Sequence, residues 1–249
     1  MARTGRFRLR PLARVLVVVV LAGATVALGG GRPPGGGGTE GLRPDPGRFT
    51  TRIDHPFWPM TPGSRWVYRE VDGDGGRHRV EVTVTHRTAT VLGVRARVVR
   101  DVAFEDGRPV EGSDDWYAQD AQGNIWQLGE VRHDYGAAEG PTERSWRAGV
   151  AGARPVLVLP VDPEPGTVYR QRDAAVRVLS AATTAKVPFG SFERLLVTAE
   201  SASPGSEPVE HEFYARGVGP VLAVTVSGGS GRAELVGFDH ARTAGTATG

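Results

Sequence analysis

The stretch Asp114-Asp115-Trp116-Tyr117-Ala118-Gln119-Asp120-Ala121-Gln122-Gly123-Asn124-Ile125-Trp126-Gln127-Leu128-Gly129-Glu130 can form little other than a β-hairpin. Asp120 stands at the first turn position, where its carboxylate accepts nearby backbone N–H groups. Gly123 stands at the fourth, free to take a positive φ, so the turn reads as type I closed by a G1 bulge. That turn pairs Asp120 with Asn124. An unbroken ladder then sets Ala118 opposite Trp126, Trp116 opposite Leu128 and Asp114 opposite Glu130. Strand alternation puts Trp116, Ala118, Trp126 and Leu128 on one apolar face. Asp115, Tyr117, Gln119, Ile125 and Gln127 fall on the other, which reads as half-wet. Like charges opposite one another destabilise a strand pair, so Asp114 and Glu130 call for an arginine, a shared proton or a cation.

The N-terminus reads as an export signal. Arg3, Arg6, Arg8, Arg10 and Arg14 precede the apolar run Val15 to Leu28, with small residues around Ala27-Leu28-Gly29 suited to cleavage. The run is shorter than the ~20 residues of an ordinary membrane span. Residues 1–31 are therefore expected to be a signal peptide or N-terminal anchor, the latter the only route to a membrane. Without a cysteine anywhere, lipid attachment at a cleavage-site cysteine, disulfides and thiolate metal sites are all excluded. Loss of the five signal arginines turns the formal charge of +2 into −3. The remaining arginines are scattered, which gives no basis for nucleic-acid binding. Residues 32–48 read as a Gly/Pro-rich disordered linker, 49–241 as one β domain and 242–249 as a flexible tail.

Within the domain, Val80, Val82 and Val84 alternate with Glu81, Thr83 and Thr85. A turn at Thr88 to Thr90 then leads into Val94, Ala96 and Val98, alternating with Arg95 and Arg97. These six apolar residues, with Trp116 and Trp126, are the expected core; Glu81, Arg95 and Arg97 are expected to be exposed. Further strands are predicted at 65–71, 145–150, 168–172, 175–181, 192–201, 210–215, 220–227 and 232–238. Many short strands with Gly turns indicate a mainly β fold with little helix: an antiparallel curved sheet or half-barrel, or alternatively a β-sandwich.

Phe57-Trp58-Pro59-Met60-Thr61-Pro62-Gly63-Ser64-Arg65-Trp66-Val67-Tyr68, Val187-Pro188-Phe189-Gly190-Ser191-Phe192 and Tyr214-Ala215-Arg216-Gly217-Val218-Gly219-Pro220-Val221 occur in that order. Together with the Asp-Trp-Tyr-Ala-Gln-Asp hairpin, the chain resembles an uncharacterised family of exported proteins from high-GC bacteria. That family is distantly similar to lipoprotein-carrier-like half-barrels, sheets curled around an apolar cavity. The resemblance covers about residues 53 to 238 and implies a fold and an extracytoplasmic location, secreted or in the cell envelope. It brings no catalytic residue.

The chain has no nucleophile elbow, Walker loop, zinc-protease helix or dinucleotide fingerprint. Its six histidines are scattered, and Asp72-Gly73-Asp74-Gly75-Gly76 reads better as a hairpin turn than as a Ca²⁺ loop. Trp116, Tyr117, Trp126 and Trp146 are the candidate ligand-binding residues, on the expectation that a curled sheet presents them to an apolar molecule. Asp114, Asp115 and Glu130 are candidate Ca²⁺ ligands, although neutralisation by Arg100, Arg108 or Arg132 is the favoured reading and no cofactor is expected. Three functions follow. The first is an exported non-enzymatic domain binding an apolar small molecule or a cell-envelope partner. The second is an adaptor with a filled core, and the third a hydrolase using the Asp114/Glu130 rim.

Overall fold

Alternating apolar and polar residues punctuated by tight turns give, among the described residues of the computed structural model, one antiparallel sheet of fourteen strands. The structure describes residues 44–135, 142–171, 174–202, 205–207 and 209–241. The strands are β1 (Phe49–Thr50), β2 (Arg65–Val71), β3 (Arg77–Val91), β4 (Val94–Glu105), β5 (Arg108–Asp120), β6 (Ile125–Asp134) and β7 (Thr142–Arg147), followed by β8 (Val156–Leu159), β9 (Val168–Gln171), β10 (Ala174–Val187), β11 (Gly190–Ser201), β12 (Val209–Ala215), β13 (Gly219–Ser227) and β14 (Arg232–Asp239). The expected signal or anchor and the C-terminal tail lie outside the described residues. So does most of the expected linker, of which residues 44–48 include a single 3-10 turn, Pro46–Arg48, capped by Asp45.

The order is an up-and-down meander, β7-β6-β5-β4-β3-β2-β14-β13-β12-β11-β10-β9, in which β2 and β14 bring the two halves together. The sheet curls but its ladder does not close. β8 pairs with β6. The seam from β8 to β9 is bridged by side chains, since Tyr169 Oη (3.2 Å) and Gln171 Nε2 (2.7 Å) both donate to the Val158 carbonyl.

Local chemistry sets the hairpins. Leu92-Gly93 (φ 51° and 82°) and Asp106-Gly107 (φ 48° and 77°) are two-residue turns with both φ values positive, matching the twist of the flanking strands. The first corrects the turn expected at Thr88 to Thr90: β3 runs on to Val91, and a bulge between Val84 and Thr88 is what breaks its alternation. Asp72 and Asp120 each organise a hairpin loop in the same way. In both, one carboxylate oxygen accepts the N–H groups two and four residues on, at 3.0 and 2.7 Å for Asp72 and 2.9 and 2.9 Å for Asp120.

Apolar residues fill both faces. The main core lies inside the curl and contains Trp58, Trp66, Tyr68, Val80, Val82, Val84, Tyr117, Ile125, Leu196 and Tyr214. A smaller cluster on the outer side gathers Val91, Val94, Ala96, Ala118, Leu128 and Ala148. The six alternating residues of β3 and β4 are thus buried as expected, but on two faces. Trp116 and Trp126 are only half-buried, because they cap the outer cluster rather than enter the main core. Arg95 is exposed, whereas Glu81 and Arg97 are half-buried. Glu81 is held by Arg65 at 2.5 Å, and Arg97 reaches the His86 carbonyl at 3.2 Å.

Candidate functional site: the inner face of the curled sheet

The β5–β6 hairpin has the expected register next to its turn, with Ala118 across from Trp126 and Tyr117 across from Gln127, and loses it at Trp116. A bulge between Trp116 and Tyr117 sets Trp116 opposite Gly129 and Asp115 opposite Glu130. The Trp116 ring takes the space a side chain at position 129 would need: a Cβ there would lie 2.4 Å from Trp116 Cε3. The one-residue slip moves Glu130 to the other face, so Asp114 and Glu130 are not cross-strand partners as expected. Where the expected register holds, the face that reads as half-wet is the interior, with Tyr117 and Ile125 fully buried.

Arginines neutralise both carboxylates, separately. Asp114 receives Arg100 through Nε and Nη2 (2.8 and 2.9 Å) and Arg87 through Nη1 (2.9 Å). Burial alone would raise the Asp114 pKa, but the two guanidiniums outweigh it and hold the group below the usual carboxylate range. Glu130 accepts from Arg132 Nε at 2.5 Å. Asp115 accepts from Ser113 Oγ (2.7 Å) and Gln127 Nε2 (2.6 Å). Among the described residues no three His, Asp or Glu side chains converge as a metal site.

The four aromatic candidates are split. Trp116, Trp126 and Trp146 pack against the outer cluster. Arg147 lies 5.8 Å over the Trp116 ring, and Trp126 Nε1 donates to Asp120 Oδ2 at 2.8 Å. Tyr117 alone reaches the interior, with its ring 5.7 Å from that of Trp58.

The segment Ile53–Met60 plugs one end of the curl. Ile53, His55, Phe57, Trp58 and Met60 are all buried. Asp54 and Gln119 exchange two hydrogen bonds of 2.9 Å. His55 accepts from the Phe57 N–H (3.1 Å) and donates to the Pro160 carbonyl (3.0 Å). Burial lowers its pKa, in keeping with a neutral structural imidazole. Trp58 stands at the centre of the plug, touching Tyr117 from β5 and Tyr214 from β12.

Beyond the plug the interior turns acidic. Alternation along β12 puts Glu210, Glu212 and Tyr214 on the inner face, with Glu200 of β11 directly opposite Glu210 and Thr198 opposite Glu212. Tyr214 Oη donates to Glu212. No arginine or lysine among the described residues balances these three carboxylates. Burial and the Glu212 carboxylate push Glu200 up to about 8. Burial, with Glu212, Glu200 and Glu70 nearby, pushes Glu210 up to about 9. Glu212 itself is raised by burial, against the opposing effect of the Tyr214 hydrogen bond.

Four inward tyrosines surround this region. Tyr68 donates to the Pro220 carbonyl (2.9 Å), Tyr169 to Val158 and Tyr214 to Glu212. The fourth, Tyr117, is fully buried and its hydroxyl has no hydrogen-bond partner. Burial raises its pKa most, and Asp115, Glu130, Asp101 and Glu212 add to the shift from around it. Gln171, 2% exposed, is also incomplete: its Oε1 accepts nothing.

This acidic set was missed in the sequence although its signal is present. Glu210-x-Glu212-x-Tyr214 in a predicted strand places three polar groups on one face, but alternation does not tell which face points inward.

No family model matches the chain, and no curated protein matches it. Among solved structures it is similar to a "putative lipoprotein" from Parabacteroides distasonis, at 14% identity over 74% of this chain and 98% of that one, with a TM-score of 0.41. It is also similar to a "putative exported protein with YmcC-like fold" from Bacteroides fragilis, at 12% identity over 74% and 99%, with a TM-score of 0.42. At that distance neither similarity assigns a role to any residue here.

Proposed function

We propose that this is an exported, non-enzymatic binding domain that holds a small molecule with an apolar body on the inner face of its curled sheet, between the aromatic plug and the β8–β9 seam. One observation carries the reading: the Tyr117 hydroxyl and Gln171 Oε1 are buried with no partner. Buried polar groups in folded proteins are nearly always satisfied, and leaving one unpaired costs about 1–3 kcal/mol. A domain whose only task is to be stable would satisfy them or replace them by apolar groups; a binding site leaves them for its ligand. Export is supported by the basic and apolar N-terminal run and by the resemblance of the motifs to exported proteins.

Native mass spectrometry of the protein recovered from the exporting cell tests this. A bound species of a few hundred daltons, lost on mild denaturation, is expected. A bare protein that also fails to bind 1-octanol in solution would overturn the reading in favour of the filled-core adaptor, for which the buried plug is the supporting observation.

A further inference from the structure

The chemistry of the inner face narrows the ligand class, an inference that rests on the binding reading above. We propose that Glu200, Glu210 and Glu212, with the Tyr117 hydroxyl and Gln171 Oε1, form the recognition site for a protonated amine carried on an apolar chain.

The cross-strand register makes Glu200 and Glu210 direct neighbours and puts Glu212 two residues along on the same face. Side chains so paired stand about 5 Å apart at Cβ, close enough for one small cation to touch both. An ammonium has three donors and no acceptor, so it matches carboxylates, an amide oxygen and a phenol oxygen together. Gln171 Nε2 is committed to Val158, which leaves Oε1 as the acceptor on offer. Tyr214 donates to Glu212, and Tyr169 and Tyr117 lie within electrostatic reach of the same carboxylate; aromatic faces attract organic cations. Val176 lies across from Glu200, and Val178 from Thr198, an apolar lining for the chain of the ligand. A bare divalent ion is a poorer match, because it needs more converging oxygens than the described residues bring together.

Without a ligand Glu200 and Glu210 are held largely as acids at neutral pH. An arriving ammonium favours their ionised form, and each carboxyl that ionises gives one proton to solvent.

The test is isothermal titration of the full chain at neutral pH with octylammonium chloride, 1-octanol and calcium chloride, in phosphate and in HEPES. Octylammonium is expected to bind at least about tenfold more tightly than 1-octanol, with a buffer-dependent heat that reports proton release. The preference should vanish in the Glu200→Gln/Glu210→Gln double variant. Should that variant not fold, Tyr117→Phe removes only an unpartnered hydroxyl and should weaken the amine by more than it weakens octanol. Equal binding of amine and alcohol, or an amine affinity untouched by either variant, overturns the amine assignment and leaves the binding domain standing. Calcium binding that these variants abolish, with no amine preference, overturns it in favour of a metal. Binding of none of the three overturns both this inference and the reading on which it rests.

Discussion

Trp116 lies directly across the strand pair from Gly129, and its ring fills the volume that a side chain at 129 would occupy. The bulge beside this contact puts Asp115, rather than Asp114, opposite Glu130. A methyl group at 129 would also come within 2.9 Å of the Trp146 carbonyl oxygen, so backbone as well as a ring would have to move. Gly129→Ala is expected to destabilise the domain by about 1–3 kcal/mol, the ordinary cost of overpacking. Urea denaturation checks this, and a loss below about 0.5 kcal/mol would mean that the ring swings aside freely.

Asp120 is the hub of its hairpin. Its carboxylate accepts from the N–H groups of Gln122 and Asn124, from Asn124 Nδ2 and from Trp126 Nε1. Burial opposes ionisation, yet these donors together hold the pKa below the usual carboxylate value. Asp120→Ala should therefore cost about 1–3 kcal/mol at neutral pH. A depressed folded-state pKa contributes stability that is present above the unfolded value and lost as pH falls through the folded one. The difference between wild type and Asp120→Asn should accordingly shrink in acid. Paired melting curves at neutral pH and near pH 3 would show it, and a constant difference would argue against the hub.

Glu200 and Glu210 predict the opposite trend. Their folded-state pKa values, about 8 and about 9, lie above the ordinary glutamate value. The folded protein thus holds protons that the unfolded chain gives up from about pH 4.5 upward, and stability is lost as pH rises through the folded values. Glu210→Gln should leave the melting temperature nearly unchanged in mild acid and raise it, relative to wild type, at pH 9–10. A variant less stable than wild type at pH 9–10 would show that the carboxylate is compensated.

Burial separates the tryptophans. Trp58, 2% exposed at the centre of the plug, should cost about 3–5 kcal/mol on replacement by alanine. Trp126, half-buried over the outer cluster, should cost clearly less. Chemical denaturation of the two variants side by side would settle the order. A reversed order would place the dominant core on the outer face.

Much of the architecture is legible in local sequence because hairpins are decided locally. Asp120-x-x-Gly123 and Asp72-x-x-Gly75 specify their turns through contacts within a few residues, and the alternation over Arg65–Val71 marks a strand with those ends, whereas the alternation from Val80 to Val84 marks only part of the longer β3. Alternation gives two faces but not which of them is inside. That assignment depends on the plug Ile53–Met60 seating Trp58 between Tyr117 and Tyr214, on chain segments about 60 and 155 residues away in sequence. Nor does alternation reveal a bulge, since Leu128 and Gly129 are each acceptable in an unbroken ladder, and only the room required by the Trp116 ring selects the slip. The acidic interior follows the same logic. The sequence by itself determined that Glu210, Glu212 and Tyr214 share a face, because side chains alternate at every step of a strand. Only the curling of the meander, with Gln171 and Tyr169 anchored to Val158, turned that face inward, where Glu212 is buried and Glu210 half-buried and water hydrates their charges less well.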